Sequence, residues 1–259
     1  MKDIQNLKDN RNVDIQKVGI KHLELPLIIQ RKNSSNQVVC AKAKVSVSLP
    51  RDYKGTHMSR FVEVLTEWQH KNLLGVDIKG CLEKIIHNLD AQSGELEFKF
   101  PYFIDKKSPV KGMVAPMSYH CSFEGRIEND EYKFILGVEV PVTTLCPCSK
   151  EISDNGAHNQ RAFIKVKVSY DEREQVWIED LVDLIESCAS CPVYPLLKRE
   201  DEKFVTEKAW DNPKFVEDVL RDVVVKLRNH PIINEFDVEC EAFESIHNHS
   251  AWASQHEVK

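Results

Sequence analysis

Apolar and polar residues alternate through "AKAKVSVSL", with Ala41, Ala43, Val45, Val47 and Leu49 falling on one side and lysines and serines on the other. A period of two is the mark of a half-buried strand, since successive side chains leave a strand on opposite faces. Helix-spaced apolar positions follow from about His57 to His70 and from Asp77 to Ala91, and "ELEFKF" then alternates again at Leu96, Phe98 and Phe100. The order strand, helix, helix, strand returns later in the chain. Ala162, Ile164, Val166, Val168 and Tyr170 alternate, helices are predicted over 177–188 and 213–229, and Phe236, Val238, Cys240 and Ala242 share one face of a closing strand. Residues 112–143 predict two more strands joined around "ENDE". This pattern predicts an α+β architecture, with antiparallel sheets and paired helices covering one face, built from a duplicated module. Residues 1–30 read as a polar extension, disordered in part, 31–145 as the first module and 146–259 as the second. The second face of each sheet also needs cover, so an oligomer is expected, with sheets from several subunits closing into a barrel.

Composition narrows the class. Of the 259 residues, 42% are apolar and 29% charged, with a net charge of -6, which fits a globular protein and excludes disordered or collagenous chains. No apolar run is long enough to span a bilayer and the start lacks the apolar core of a signal peptide, so the expectation is a cytoplasmic protein without membrane contact. The mild acidity argues against a nucleic-acid partner but leaves room for a local basic funnel around one small anion. Phosphate-cradling and dinucleotide glycine loops are missing, so a nucleotide here would be a substrate held by side chains.

The chemistry concentrates in "TLCPCSKEISDNGAHNQR" at 144–161. Eight cysteines without a secretory signal read as thiols. Cys40, Cys81, Cys121 and Cys240 sit singly in apolar patterns and are expected to pack. Cys146 and Cys148 form a Cys-x-Cys pair, and the "SDNG" turn can fold His158 back on them. Thiolate and imidazole suit zinc or another borderline divalent ion, and three protein ligands leave a place for water. Two other readings stay open: a closed structural zinc site of Cys146, Cys148, Cys188 and Cys191, or a redox couple at Cys188 and Cys191. Glu200 and Glu202 lie in "LKREDEK", which reads otherwise as a solvated loop. His247 and His249 are two apart, so in extended chain both rings point the same way, and imidazoles suit proton transfer near neutral pH. Glu217 stands beside a buried helix face expected to comprise Val216, Val219, Leu220 and Val223.

With these residues assembled, the chain resembles the type IB GTP cyclohydrolases I, the prokaryotic branch of the tunnelling-fold superfamily. The resemblance rests on "GTHMSRF" at 55–61, the 144–161 block, "SCPVYPLLKREDEKFVTE" at 190–207, "NPKFVEDVLRD" at 212–222 and "HNHSAWA" at 247–253. It implies a duplicated tunnelling fold in a homotetramer with active sites at subunit boundaries. It also implies hydrolytic opening of the guanine imidazole ring of GTP to 7,8-dihydroneopterin triphosphate and formate, the first step of tetrahydrofolate biosynthesis. One divalent ion per site, zinc, manganese or iron, is implied on Cys146, His158 and Glu200, with His247 as a fourth ligand or proton donor. Cys148 matches the second, catalytically important cysteine, and His247 or His249 would protonate the leaving ring nitrogen. Glu217, or alternatively Glu207, would anchor the base, while Arg60, Lys150 and Arg161, with Ser59 and His57, are candidate donors to the triphosphate. Other tunnelling-fold pterin or purine enzymes are the enzymatic alternative.

Overall fold

The computed structural model describes Gln5 and residues 7–259; residues 1–4 and 6, within the expected extension, lie outside the described residues. The elements in chain order are β1 (Ile15–Gln30), β2 (Asn36–Leu49), α1 (Met58–Trp68), β3 (Asn72–Leu73), α2 (Gly75–Asn88), β4 (Gly94–Lys107), β5 (Val114–Glu128) and β6 (Glu131–Leu145). They continue as α3 (Pro147–Ile152), β7 (Asn159–Tyr170), α4 (Ile178–Glu186), β8 (Cys191–Pro192), α5 (Arg199–Asp211), α6 (Val216–Arg228), β9 (Ile233–Phe243) and β10 (Ser250–Val258). The strands hydrogen-bond in the order β10-β9-β7-β6-β5-β4-β2-β1-β3, with β8 on β6. The chain divides into two compact units, one of residues 1–101, 122–136 and 170–175 and the other of 102–121, 137–169 and 176–259.

In the first unit β1, β2 and β4 pair antiparallel, with Leu25 opposite Ala41, Ala43 opposite Phe98 and Val45 opposite Leu96. The buried parity of these strands meets Phe61, Val64 and Leu65 of α1 and Ile78, Leu82 and Ile85 of α2 in the core. Edge-to-face contacts at 5.1, 5.7 and 5.5 Å link Phe100, Phe123, Phe134 and Tyr170 in sequence, a geometry favoured by the ring quadrupoles. The strand β1 occupies half of the segment expected to be an extension. Its register slips between Ile15 and Val18 and again between Ile20 and Leu23. Such bulges break the period of two and hide a strand from pattern reading. Cys40 is a second departure: it is exposed, because Val39 and Ala41 take the inward parity of β2.

In the second unit α4 and α6 cover the buried parity of β7 and β9. Leu181, Val182 and Ile185 of α4 and Val219, Val223 and Leu227 of α6 pack with Ile164, Val166, Val238 and Cys240 in the core. Each such aliphatic side chain contributes roughly 1.5–3 kcal/mol by leaving water. Leu220 is only half-buried, and Val224 and Leu227 complete the α6 face instead. The predicted turn between β5 and β6 forms at Asn129 and Asp130, both left-handed at φ 52° and 64°, the geometry that suits a two-residue hairpin. The "KREDEK" stretch, read as a loop, opens α5. Helical apolar spacing is weak there, and the helix is held by other means described below.

Candidate active site

Cys146 and His158 are brought together by the backbone. Proline at 147 biases the residue before it toward extended chain and suits the first helical position. Cys146 accordingly sits at φ -68° and ψ 118° as the N-cap of α3, and its Sγ accepts from Ser149 N at 3.4 Å. After α3 the chain reverses through Ser153–Gly156. Ser153 Oγ and Asn155 N pair at 3.3 Å, and Gly156 takes φ +82°, which a side chain would disfavour. The reversal closes as Cys146 N donates to His158 O at 3.1 Å and His158 N donates to Ser149 Oγ at 3.1 Å.

The His158 ring is half-buried, and its Nδ1 lies 2.9 Å from Gln160 Oε1 and 3.7 Å from Glu244 Oε2. The remaining nitrogen, Nε2, is therefore the one suited to a metal. Cys148 is exposed on α3 and Cys146 half-buried. A thiol and an imidazole with one nitrogen engaged, on segments joined by a backbone hydrogen bond, are donors of the kind a borderline divalent ion takes.

Glu200 lies in the first turn of α5 and is exposed, paired with Lys111 at 2.7 Å, and this bond holds its carboxyl below the usual range. The three side-chain donors of Cys146, His158 and Glu200 do not all come within 4.8 Å of one another; among the described residues the one group that does is Glu235, Asp237 and His256. These stand on the β9–β10 ladder, where His256 faces Asp237 in register and bonds it at 2.9 Å.

Asp201, the neighbour of Glu200, is fully buried and accepts from Val110 N at 2.8 Å, Lys111 N at 2.9 Å and Lys198 N at 3.0 Å. Burial alone would raise its pKa, but these bonds and one from Ser108 outweigh it and lower it to about 2. One carboxylate thus ties the β4–β5 turn to the start of α5.

The other candidates come from several different elements. His247 and His249 stack at 5.1 Å and 15° in the exposed connection between β9 and β10. Glu217 is exposed in the first turn of α6; the Cys240 thiol is pushed up to about 12 by burial first and then by the Glu217 charge. Lys150 donates to Trp210 O and lies 4.6 Å above its ring. Arg161 and Glu207 both line a cavity of about 510 Å³ with Ala157, Asn159, Tyr194 and Trp210. In the first unit, His57 is the N-cap of α1, Ser59 is exposed and Arg60 donates to Asn88 O at the end of α2 at 2.8 Å.

The described residues do not bring the four cysteines of the alternative zinc reading together. Cys188 and Cys191 are both 1% exposed, Cys191 packing with Leu145 and Ala209, and neither shares a three-donor group with Cys146 or Cys148 among the described residues. Burial pushes both thiols up, which also makes them poor redox nucleophiles. Sequence reading missed Gln160, Thr144, Glu244, Asp201 and Lys111. Gln160 carried a usable signal, being two positions from His158 at the start of a strand, whereas Glu244 and Lys111 come from distant segments with none.

Comparison with known proteins bears on the family and the fold. The family model described as type I GTP cyclohydrolase folE2 matches residues 1–253. Proteins named GTP cyclohydrolase FolE2 from Geotalea uraniireducens (strain Rf4) and Thermosipho africanus (strain TCF52B) are 51% and 49% identical, each over 98% of this chain and over 92% and 96% of their own lengths. Among solved structures, the uricases of Arthrobacter globiformis and Bacillus fastidious superpose with TM-scores of 0.54 and 0.53 at 8% and 10% identity. They cover 94% of this chain and 93% and 94% of theirs. At that identity the likeness is one of fold, the tunnelling fold.

Proposed function

Since the chain belongs to the type I GTP cyclohydrolase FolE2 family, we propose that it hydrolyses GTP, opening the imidazole ring of guanine to release formate and 7,8-dihydroneopterin triphosphate. The observation that carries this reading is the family match over residues 1–253, on a chain whose backbone joins Cys146 N to His158 O. We assign the type IB branch, one divalent ion per site, a place at the head of tetrahydrofolate synthesis and a cytoplasmic location to the same reading.

Cys146, His158 and Glu200 would hold the ion, with His247 as a fourth ligand or as proton donor. When bound, the ion supplies acidified water, lowering its pKa from about 15.7 to about 7. The protein's own groups do the rest. His158 presents one nitrogen because the other is engaged by Gln160. Glu200 is kept ionised by Lys111 and must turn from that partner toward the thiol side. His247 or His249 gives a proton to the guanine nitrogen as the ring bond breaks, a step for which an imidazole has a suitable pKa. Cys148 acts as the second thiol at the site.

Glu217 accepts from the amide N–H and exocyclic amine of guanine, a two-point contact adenine cannot match. Glu207 is the alternative anchor, and its place on the cavity wall with Arg161 favours a substrate contact for it too. Arg161, Lys150, Arg60, Ser59 and His57 are the proposed triphosphate donors. Of these, Lys150 and Arg60 would exchange a backbone carbonyl for a phosphate oxygen.

A homotetramer with sites at subunit boundaries is part of the proposal. Its support is the sheet-end strand β10, which carries Trp252 and Val258 exposed; edge strands of this kind are pairing surfaces. The test is to load metal-free protein with zinc, manganese or iron, add GTP, and measure formate with the fluorescence of the oxidised pterin. Formate release that disappears in His158→Ala is expected. A loaded protein that leaves GTP intact with every ion overturns the proposal.

A further inference from the structure

His158 stands at the end of a hydrogen-bonded line running into the second unit's interior. Its Nδ1 is 2.9 Å from Gln160 Oε1, and Gln160 Nε2 donates to Thr144 Oγ1 at 3.0 Å. Gln160 and Thr144 are nearly inaccessible, at 8% and 1% exposure. The amide of Gln160 has one donating and one accepting end. With the donating end on the Thr144 hydroxyl, the accepting end faces His158, so Nδ1 must carry the ring hydrogen. Glu244, 3.7 Å away, adds negative charge on the same side of the ring.

We propose that Gln160 is a positioning residue: oriented by Thr144, it fixes His158 in the Nδ1–H tautomer, leaving the Nε2 lone pair ready for the metal. The inference rests on the metal reading of Cys146 and His158 given above. It extends that reading from the ligand to the buried amide that sets its ring. His158 immediately precedes β7 and Gln160 is its second residue, and the bonds of His158 O to Cys146 N and of His158 N to Ser149 Oγ hold the histidine's backbone in place. Partners of metal-bound imidazoles typically change metal affinity by about 10–100-fold when removed.

Two measurements test this. Long-range ¹H–¹⁵N spectra of the metal-free protein, with His158 assigned by its loss in His158→Asn, are expected to show the Nδ1–H tautomer alone. In Gln160→Leu the two tautomers should mix. Competition of zinc against a chromogenic chelator should then show affinity about tenfold or more weaker for Gln160→Leu and a smaller loss for Thr144→Val. Gln160→Glu, whose carboxylate still accepts from Nδ1, should retain most of the affinity. Circular dichroism of each variant separates these effects from unfolding, and Gln160→Glu and Thr144→Val serve if Gln160→Leu does not fold. An Nε2–H tautomer in the unsubstituted protein overturns the inference, as does unchanged zinc affinity in Gln160→Leu. Failure of the unsubstituted protein to bind any divalent ion overturns the metal reading instead, and the tautomer spectra still decide the role of Gln160.

Discussion

At the scale of single residues, the eight thiols sort by their surroundings. Cys146 and Cys148 lie at the surface turn of α3, while Cys81, Cys121, Cys188, Cys191 and Cys240 are buried. Burying a hydroxyl in place of a packed thiol costs roughly 1–3 kcal/mol where it finds no partner. Cys191→Ser is therefore expected to lose about that much in urea unfolding while keeping its metal content and formate release. Metal loss on this substitution would bring back the four-cysteine site. Cys146→Ala should abolish metal binding while costing no more than the lost cap on α3, about 0.5–2 kcal/mol, as read by metal analysis and thermal melting. The sequence already set the pairs apart from the single cysteines. Which pair faces solvent was decided by β8, whose hydrogen bonds to β6 turn Cys191 inward.

At the scale of elements, two buried charge clusters hold segments that apolar pattern alone would leave loose. Asp201 joins the start of α5 to the β4–β5 turn. Its carboxyl titrates at about 2 instead of the ordinary 3.8, so its contribution is complete above the ordinary value and is lost as pH falls from there toward about 2. Acid unfolding followed by circular dichroism should show the protein losing stability through that window, with Asp201→Asn less stable at neutral pH and flatter below about pH 4. The second cluster joins β4, β5 and α4: Lys106 Nζ and Tyr119 OH both donate to Glu186 Oε1, at 2.5 and 2.8 Å, and Lys106 also donates to Val193 O at 2.6 Å. Burial lowers the Lys106 pKa against the pull of Glu186, and burial followed by the same charge raises that of Tyr119. Removing one member leaves the other charge buried and unpaired, so Lys106→Met should cost about 3–5 kcal/mol in chemical unfolding, much of it recovered in Lys106→Met combined with Glu186→Leu. If the single variant is as stable as the parent, the cluster has no energetic role. The helix α5 was hidden from pattern reading because Asp201, a polar residue, is its buried anchor.

At the scale of the whole molecule, the proposed tetramer predicts a sedimentation mass four times the 29.9 kDa chain, falling to single-chain mass if β10 is not a pairing edge. A charged substitution at Trp252, 59% exposed on that strand, should weaken assembly and activity together. The sequence by itself determined the paired helices, the strands β2, β4, β7 and β9, and the Cys146–His158 turn. In each of these the cause is local: an alternating or helical period, a proline before a helix, a glycine where φ is positive. Only the tertiary structure decided the bulged β1, the anchoring of α5, the lysine that holds Glu200 and the Glu244 carboxylate beside His158. The physical reason is that each of these depends on a partner distant in the chain, and a hydrogen bond or ion pair between distant segments leaves no period in the sequence.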